Sequence, residues 1–451
     1  MSNYDVMTKT PIPKLTLRLG FPAMVSMLVT TLYNMADTWF VSRLGVQAVG
    51  AVGVSFALME FISSVGYLFG MGSGTRIGMF FGEGKAKEAG EYGSTAFFSV
   101  LALCSAAAAL GLAFIRPLMR LLGSSETILP HAVAYARYIL IGFPVMASSL
   151  VLSSILRCEG KMKYSMAGIG SGAVLNLVLD PLLIFACDMG VGGAALATLI
   201  SQSVGLAVLL GFYCTGRTET KLALRAVQLK ASVYVDILRS GLASLCRHMV
   251  TTLATVAVNT AAGLYGGDVL IACLSIIAKL TAVLMAVIKG FFQGSMSIYS
   301  YNMGARRYGR VREAYHFGVR FNTALMTVFA LVCIVFAEPI MRMFSAGDAS
   351  VVATGALALR LNLLALLFMP FAFSANTMLQ CVGRPYLATL LALMPQGLFY
   401  IPALFILPRF FEQTGILLAP IAGWGMAAAV CAPVVVGFFR ELGEKEKKES
   451  A

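Results

Sequence analysis

The chain has 451 residues, 59% hydrophobic and only 12% charged, with a mean hydropathy of +0.83. A soluble domain runs at about 25% charged, so a soluble enzyme, a nucleic-acid-binding module and a disordered chain are all excluded. The net charge of +13 then matters through where the basic residues fall, not through their sum.

A spanning helix needs about 20 mostly apolar residues. Twelve such stretches follow one another, at roughly 16–40, 48–75, 93–115, 132–156, 166–187, 191–213, 235–263, 268–293, 316–337, 356–381, 386–408 and 416–439. They are long, continuous and rich in Leu, Ala and Met, which predicts helices and not the short alternating strands of a barrel. The first is too long for the apolar core of a secretory leader, and no small-x-small site follows it, so it reads as a span. The predicted fold class is an all-α polytopic membrane protein with twelve transmembrane helices.

Most Lys and Arg fall in alternate loops. One side carries Lys9, Lys14 and Arg18, then Arg76, Lys85 and Lys87, Arg157, Lys161 and Lys163, the run Arg217 to Arg239, the cluster Arg306 to Arg320, Arg384, and the tail Arg440 to Lys448. The positive-inside rule predicts both termini in the cytoplasm of a cell inner (plasma) membrane protein. The basic loops face anionic membrane lipid; no nucleic-acid partner is expected. The nine cysteines show no metal-ligand spacing, so neither a metal site nor a cofactor is predicted.

The second half echoes the first at an offset of about 222 residues. Leu17-Arg18-Leu19-Gly20 recurs as Leu238-Arg239-Ser240-Gly241, and Gly70, Gly74 and Gly84 as Gly290, Gly294 and Gly304. Phe114-Ile115-Arg116-Pro117 recurs as Phe336-Ala337-Glu338-Pro339, and Leu156 to Lys161 as Leu379 to Arg384. Six spans per half give a parallel repeat, with two pseudo-symmetric six-helix bundles facing each other across a cleft. The expected segments are 1–224, a linker at 225–234, 235–440, and a charged tail at 441–451.

Polar residues present in only one half are candidates for chemistry. The first span carries Asn34 and Asp37, and the fifth carries Asn176 and Asp180 followed by Pro181; the matching positions in the second half hold no acid. A bare carboxylate in a span is costly, so it takes a proton or gives its oxygens to a cation. Pro22 and Pro181 each free a carbonyl and mark candidate helix hinges. Gln293, Asn376, Gln380 and Gln396 are candidates to line a substrate site in the second half. Glu60 and Lys279 lie close to one repeat offset apart; either they pair across the cleft in one state only, as a latch between the halves, or each is satisfied within its own bundle. Arg247 reads as packing toward the cytoplasmic end of the seventh span. Gly70-Met71-Gly72-Ser73-Gly74 reads as a helix-packing surface.

At these residues the chain resembles the MATE (multidrug and toxic compound extrusion) transporters, closest to the bacterial DinF/MepA-like branch. The carriers are Tyr33-Asn34-Met35-Ala36-Asp37, Asn176 to Leu182, Phe292-Gln293-Gly294 with Tyr301 to Ala305, and Ile155 to Gly160. The resemblance implies two six-helix bundles in a V. It also implies export of amphipathic, cationic small molecules driven by inward proton or sodium movement. By the same resemblance Asp37 and Asp180 couple the ion, Asn34 and Asn176 assist them, and Tyr135 and Thr198 complete the network. Pro22 matches the proline at which the first helix bends. The family's seventh-helix glutamate is absent, with Leu245-Cys246-Arg247-His248 in its place. The expected function is a monomeric secondary antiporter and not an enzyme. The alternative is a flippase for a lipid-linked precursor, against which the two acids argue, since pyrophosphate needs a cationic cleft.

Overall fold

The computed structural model describes residues 3–344 and 349–450; residues 1, 2 and 451 of the expected terminal segments lie outside these. The described residues are almost wholly helical, as membrane burial requires, because a helix satisfies its own backbone where no water can. Among the described residues eleven helices are long and apolar enough to span, and a bent pair, taken as one span, makes twelve. Spans 1 to 6 are Ile12–Ser42, Gln47–Gly82, Ala86–Ala113, Leu129–Cys158, Met162–Ala186 and Gly190–Cys214. Spans 7 to 9 are Ala231–Gly267, Val269–Gly304 and Tyr308–Val335. Span 10 is the bent pair Val351–Leu366 and Met369–Cys381, broken by 40° just before Pro370; spans 11 and 12 are Pro385–Ile406 and Pro408–Lys448. Several spans outrun the apolar stretches, because helix continues into the polar ends where lipid gives way to water.

Short helices at Ile115–Leu121 and Ala337–Phe344 repeat between spans 3 and 4 and spans 9 and 10. They are the two copies of the Phe114 to Pro117 motif. Fifth and eleventh spans repeat a second irregularity. Each passes at a proline into a π-turn, Leu182–Ala186 after Pro181 and Met394–Leu398 around Pro395. The irregularity is architectural, since both halves have it. Pro22, by contrast, lies inside a single continuous helix from Ile12 to Ser42.

Glycines set the crossing between halves. A Cβ on Gly294 of span 8 would lie 2.6 Å from the Cα of Gly20 in span 1. Gly72 of span 2 meets the Ile237 carbonyl and the Gly241 amide of span 7, and Gly304 meets Met79 where Gly82 meets Tyr301. These contacts are mates about one two-fold axis: Gly20–Gly294 maps onto Gly241–Gly72, and Gly82 faces its own mate Gly304. The glycine-rich segment is therefore a packing surface, as expected. The packing also corrects the repeat register. Gly294 and Gly304 are mates of Gly72 and Gly82, not of Gly74 and Gly84.

Polar ties close the halves on the side that carries both termini. Arg76 and Tyr92 reach Asp236 at 3.3 and 3.2 Å. Arg157 donates to Gln293 at 3.1 Å, and Tyr301 to Glu219 at 3.3 Å. Arg310 donates to the carbonyl of Thr10 at 2.6 Å and fastens the N-terminal helix Asn3–Lys9 to the second half. Beside it Glu159 is fully buried and accepts the Glu219 and Thr220 amides at 3.2 and 3.1 Å.

Candidate functional site

Two cavities hold the intramembrane charges, one in each half. The first, of about 300 Å³, is lined by Tyr33, Asn34 and Asp37 of span 1, Glu60 and Tyr67 of span 2, Tyr135 of span 4 and Gln202 of span 6. Helical spacing puts Tyr33, Asn34 and Asp37 on neighbouring turns of one face. Asp180 lies deeper, with no exposed surface, and accepts a hydrogen bond from Asn176 Nδ2 at 3.0 Å. Asp180 is close enough to Asp37 to feel its charge.

Three oxygens here are buried without a partner: Asp37 Oδ1, Asp180 Oδ2 and Asn176 Oδ1. Acceptors left bare in a low-dielectric interior are costly. A proton on a carboxylate removes that cost at its own oxygen, and a small cation would remove it wherever these oxygens could converge on one. No group of three or more His, Cys, Asp or Glu fit to hold a metal occurs among the described residues. Tyr135 is buried beside Asp37 and directs its hydroxyl to Met59 Sδ at 3.6 Å. Thr198 spends its hydroxyl on the Ala194 carbonyl of its own helix, and Asn34 is exposed.

The second cavity, of about 40 Å³, lies in the other half and is lined by Arg247, Lys289, Phe373, Asn376, Gln396 and Trp424, among others. Arg247 donates to Asn376 Oδ1 at 2.7 Å and to Ser244 Oγ at 3.3 Å, with its guanidinium 5.3 Å from the Phe373 ring centre. It thus faces the cavity instead of packing at the helix end. Asn376 and Gln396 line the cavity, whereas Gln293 bonds Arg157 between the halves. Gln380 is buried against Ser240 and Ser244.

Glu60 does not meet Lys279, which is exposed; no ion pair links them among the described residues. In the corrected register the mate of Glu60 is Ala282, so the two-fold axis gives no reason for Glu60 and Lys279 to face each other. The partner of Glu60 is His248 of span 7, with Oε2 to Nδ1 at 3.5 Å, and Tyr67 stacks on the imidazole with ring centres 5.0 Å apart. Sequence reasoning missed this contact and the pairing of Arg247 with Lys289. The available signal was that both cations fall in apolar stretches whose repeat mates are neutral.

Two like bundles related by a two-fold, closed at one end and holding charge within the spans, define a secondary-transporter architecture. The MatE family profile matches residues 22–182 and again 244–406, starting once in each half at the spacing of the sequence repeat. The chain belongs to this family: it is a MATE transporter of the MepA-like type, and members of the family are transporters, not enzymes. It is 28% identical over 358 residues to a FAD transporter of Shewanella oneidensis, covering 76% of this chain and 77% of that one. It is 23% identical over 439 residues to the multidrug export protein MepA of Staphylococcus aureus, covering 96% and 95%. It superposes with a TM-score of 0.93, at 25% identity and over 98% and 99% of the two chains, on the outward-facing conformation of a multidrug resistance MATE family transporter.

Proposed function

We propose that this chain is a secondary antiporter of the inner (plasma) membrane that exports amphipathic small molecules in exchange for inward movement of protons or sodium. The Asp37–Asp180–Asn176 group is the coupling site, and no cofactor beyond the ion is needed. The observation that carries this reading is the fully buried Asp180, bonded to Asn176 and left with a bare oxygen, in a span whose repeat mate has no acid. With both termini cytoplasmic, the glycine crossings and polar ties seal the inner end, and the molecule faces outward. In that state the coupling ion enters the first cavity from outside. Its binding neutralises the carboxylates, which permits the halves to rock and open inward. Substrate loading from the cytoplasm and ion release then reset the cycle. One chain holds both halves of the site, so a monomer suffices.

The relatives are named for transport of FAD and for multidrug export, and an amphipathic small molecule is a class that covers both. The flippase alternative, for a lipid-linked precursor, needs a cationic cleft; the second cavity has the cations, and the first has the acids. The test is efflux of a fluorescent amphipath from proteoliposomes under an imposed proton or sodium gradient. Asp37→Asn and Asp180→Asn are expected to lower gradient-driven efflux at least about 100-fold while downhill leak persists, in line with loss of an ion-bound state worth several kcal/mol. Coupled efflux at the wild-type rate in both variants would overturn the reading.

A further inference from the structure

We propose that the second cavity is an anion subsite, in which Arg247 and Lys289 hold the anionic headgroup of an amphipathic substrate and Phe373 and Trp424 flank its aromatic portion. This rests on the antiporter reading above and makes its substrate class an aromatic organic anion, against the cationic cargo expected from sequence.

Charge is segregated between the halves. Asp37, Glu60 and Asp180 lie in the spans of the first half. In the second half the sequence places acids only at or beyond the span ends, at Asp236, Asp268, Glu313, Glu338, Asp348, Glu412 and the tail from Glu441. Arg247 and Lys289 nevertheless share one cavity. In the register set by the glycine contacts their mates are Ser26 and Tyr67, so neither cation serves the repeated architecture.

Their surroundings are neutral. The recorded partners of Arg247 are Asn376 Oδ1, Ser244 Oγ and the Phe373 face. Asn376 is held with its oxygen toward Arg247 because its amide nitrogen donates to the Ala388 carbonyl at 2.5 Å. Thr251 fixes Gln396 by donating to its Oε1 at 2.5 Å. The carboxylate that acts on Lys289 is Glu60, which belongs to the opposite half and already meets His248. If the halves separate at this contact, Glu60 withdraws and two cations remain in a largely apolar wall. Like charges buried together are retained where an anion neutralises them. Arg supplies a forked donor set and Lys a point charge, a pairing suited to a carboxylate, sulfonate or phosphate. The cavity is large enough for such a headgroup and not for a whole substrate, so the remainder extends between the halves. Glu60 is then a built-in competitor that takes the place of the substrate anion.

Trp424 provides the readout. The chain has two tryptophans, and Trp424 lines the cavity, so a Trp39→Phe background isolates it. Quenching by 4-nitrobenzenesulfonate is compared with quenching by (4-nitrophenyl)trimethylammonium, a cation of similar size. Saturable quenching by the sulfonate is expected. Arg247→Gln and Lys289→Gln should each weaken it about tenfold or more, as loss of a charge-assisted hydrogen bond implies, and Arg247→Lys should weaken it less. Equal affinity for the ammonium probe would overturn the proposal. So would unchanged sulfonate affinity in both glutamine variants. Each variant is checked for wild-type elution and melting, and the two are independent if one fails to fold. Asp180→Asn separates this proposal from the coupling reading: it should keep the preference for the sulfonate over the ammonium probe and lose gradient-driven efflux. Coupled efflux retained in Asp180→Asn would sink the coupling reading and leave the anion subsite standing. Displacement of the sulfonate by farnesyl pyrophosphate at far lower concentration would overturn the soluble source and assign the subsite to a lipid headgroup.

Discussion

Asp180 was legible in the sequence because a lone acid in a long apolar stretch has few structural uses. Arg247 occupied a similar stretch and was read as helix-end packing, since a long basic side chain can reach toward a membrane surface. Only the fold shows that Asn376 and Phe373, on a different span, turn the guanidinium into a cavity it shares with Lys289. Glu159 was also opaque at the sequence level. Its role depends on the amides of Glu219 and Thr220, which the loop between the halves brings to it. Burial pushes the Glu159 carboxyl up to about 7 from its ordinary 4.5, although those amide bonds pull it the other way. An acid that holds its proton more tightly when folded stabilises the fold at low pH. That contribution is fully present below about pH 4.5 and is lost as the pH rises through about 7. Melting of the purified protein should therefore fall across this window, and Glu159→Gln should flatten the fall. A wild-type melting temperature that rises between pH 5 and pH 7 would contradict this assignment.

At the scale of elements, length and apolarity were sufficient to count the spans. Pro181, where the first π-turn begins, was read as a candidate hinge; the π-turn at Pro395 and the break in span 10 were not marked, because a proline is compatible with a continuous helix, a kink or a break. Pro144 lies within a continuous span 4, whereas the helix of span 10 breaks just before Pro370. Repeat matching located the glycine surface but set it two residues out of register, because Gly70, Gly72 and Gly74 are interchangeable by eye. The close approach of Gly72 to Gly241 and of Gly20 to Gly294 selects the correct one. That error is what produced the expectation of a Glu60–Lys279 latch. The same closeness makes the crossing sensitive to bulk. Gly294→Val would drive a side chain into the backbone of Gly20, and overpacking of this kind costs about 1–3 kcal/mol. If the crossing holds the terminal end closed, the variant should populate the opposite conformation. Spin labels placed across the Arg157–Gln293 contact should then show a longer distance distribution than in wild type; an unchanged distribution would mean that the crossing does not hold this end shut.

At the scale of the molecule, a duplicated framework carries unlike chemistry. The shared features are the glycine crossings, the short helices after spans 3 and 9, and the π-turns of spans 5 and 11. The halves differ in charge: acids within the spans of the first, cations within those of the second. Asymmetry of this kind lets a symmetric rocking motion exchange two different cargoes, an ion at one wall and a substrate at the other. The linked equilibria follow from it. If the coupling ion and the substrate favour opposite conformations, each must weaken the binding of the other by the same factor. The direct measurement is ion release on substrate binding, followed with proton- and sodium-sensitive electrodes on purified protein in weak buffer. The expected result is about one ion released per substrate bound in the wild type, none in Asp180→Asn, and release restored at higher substrate concentration in Arg247→Gln. Substrate binding with no ion released from the wild type, or with release undiminished in Asp180→Asn, would contradict the account.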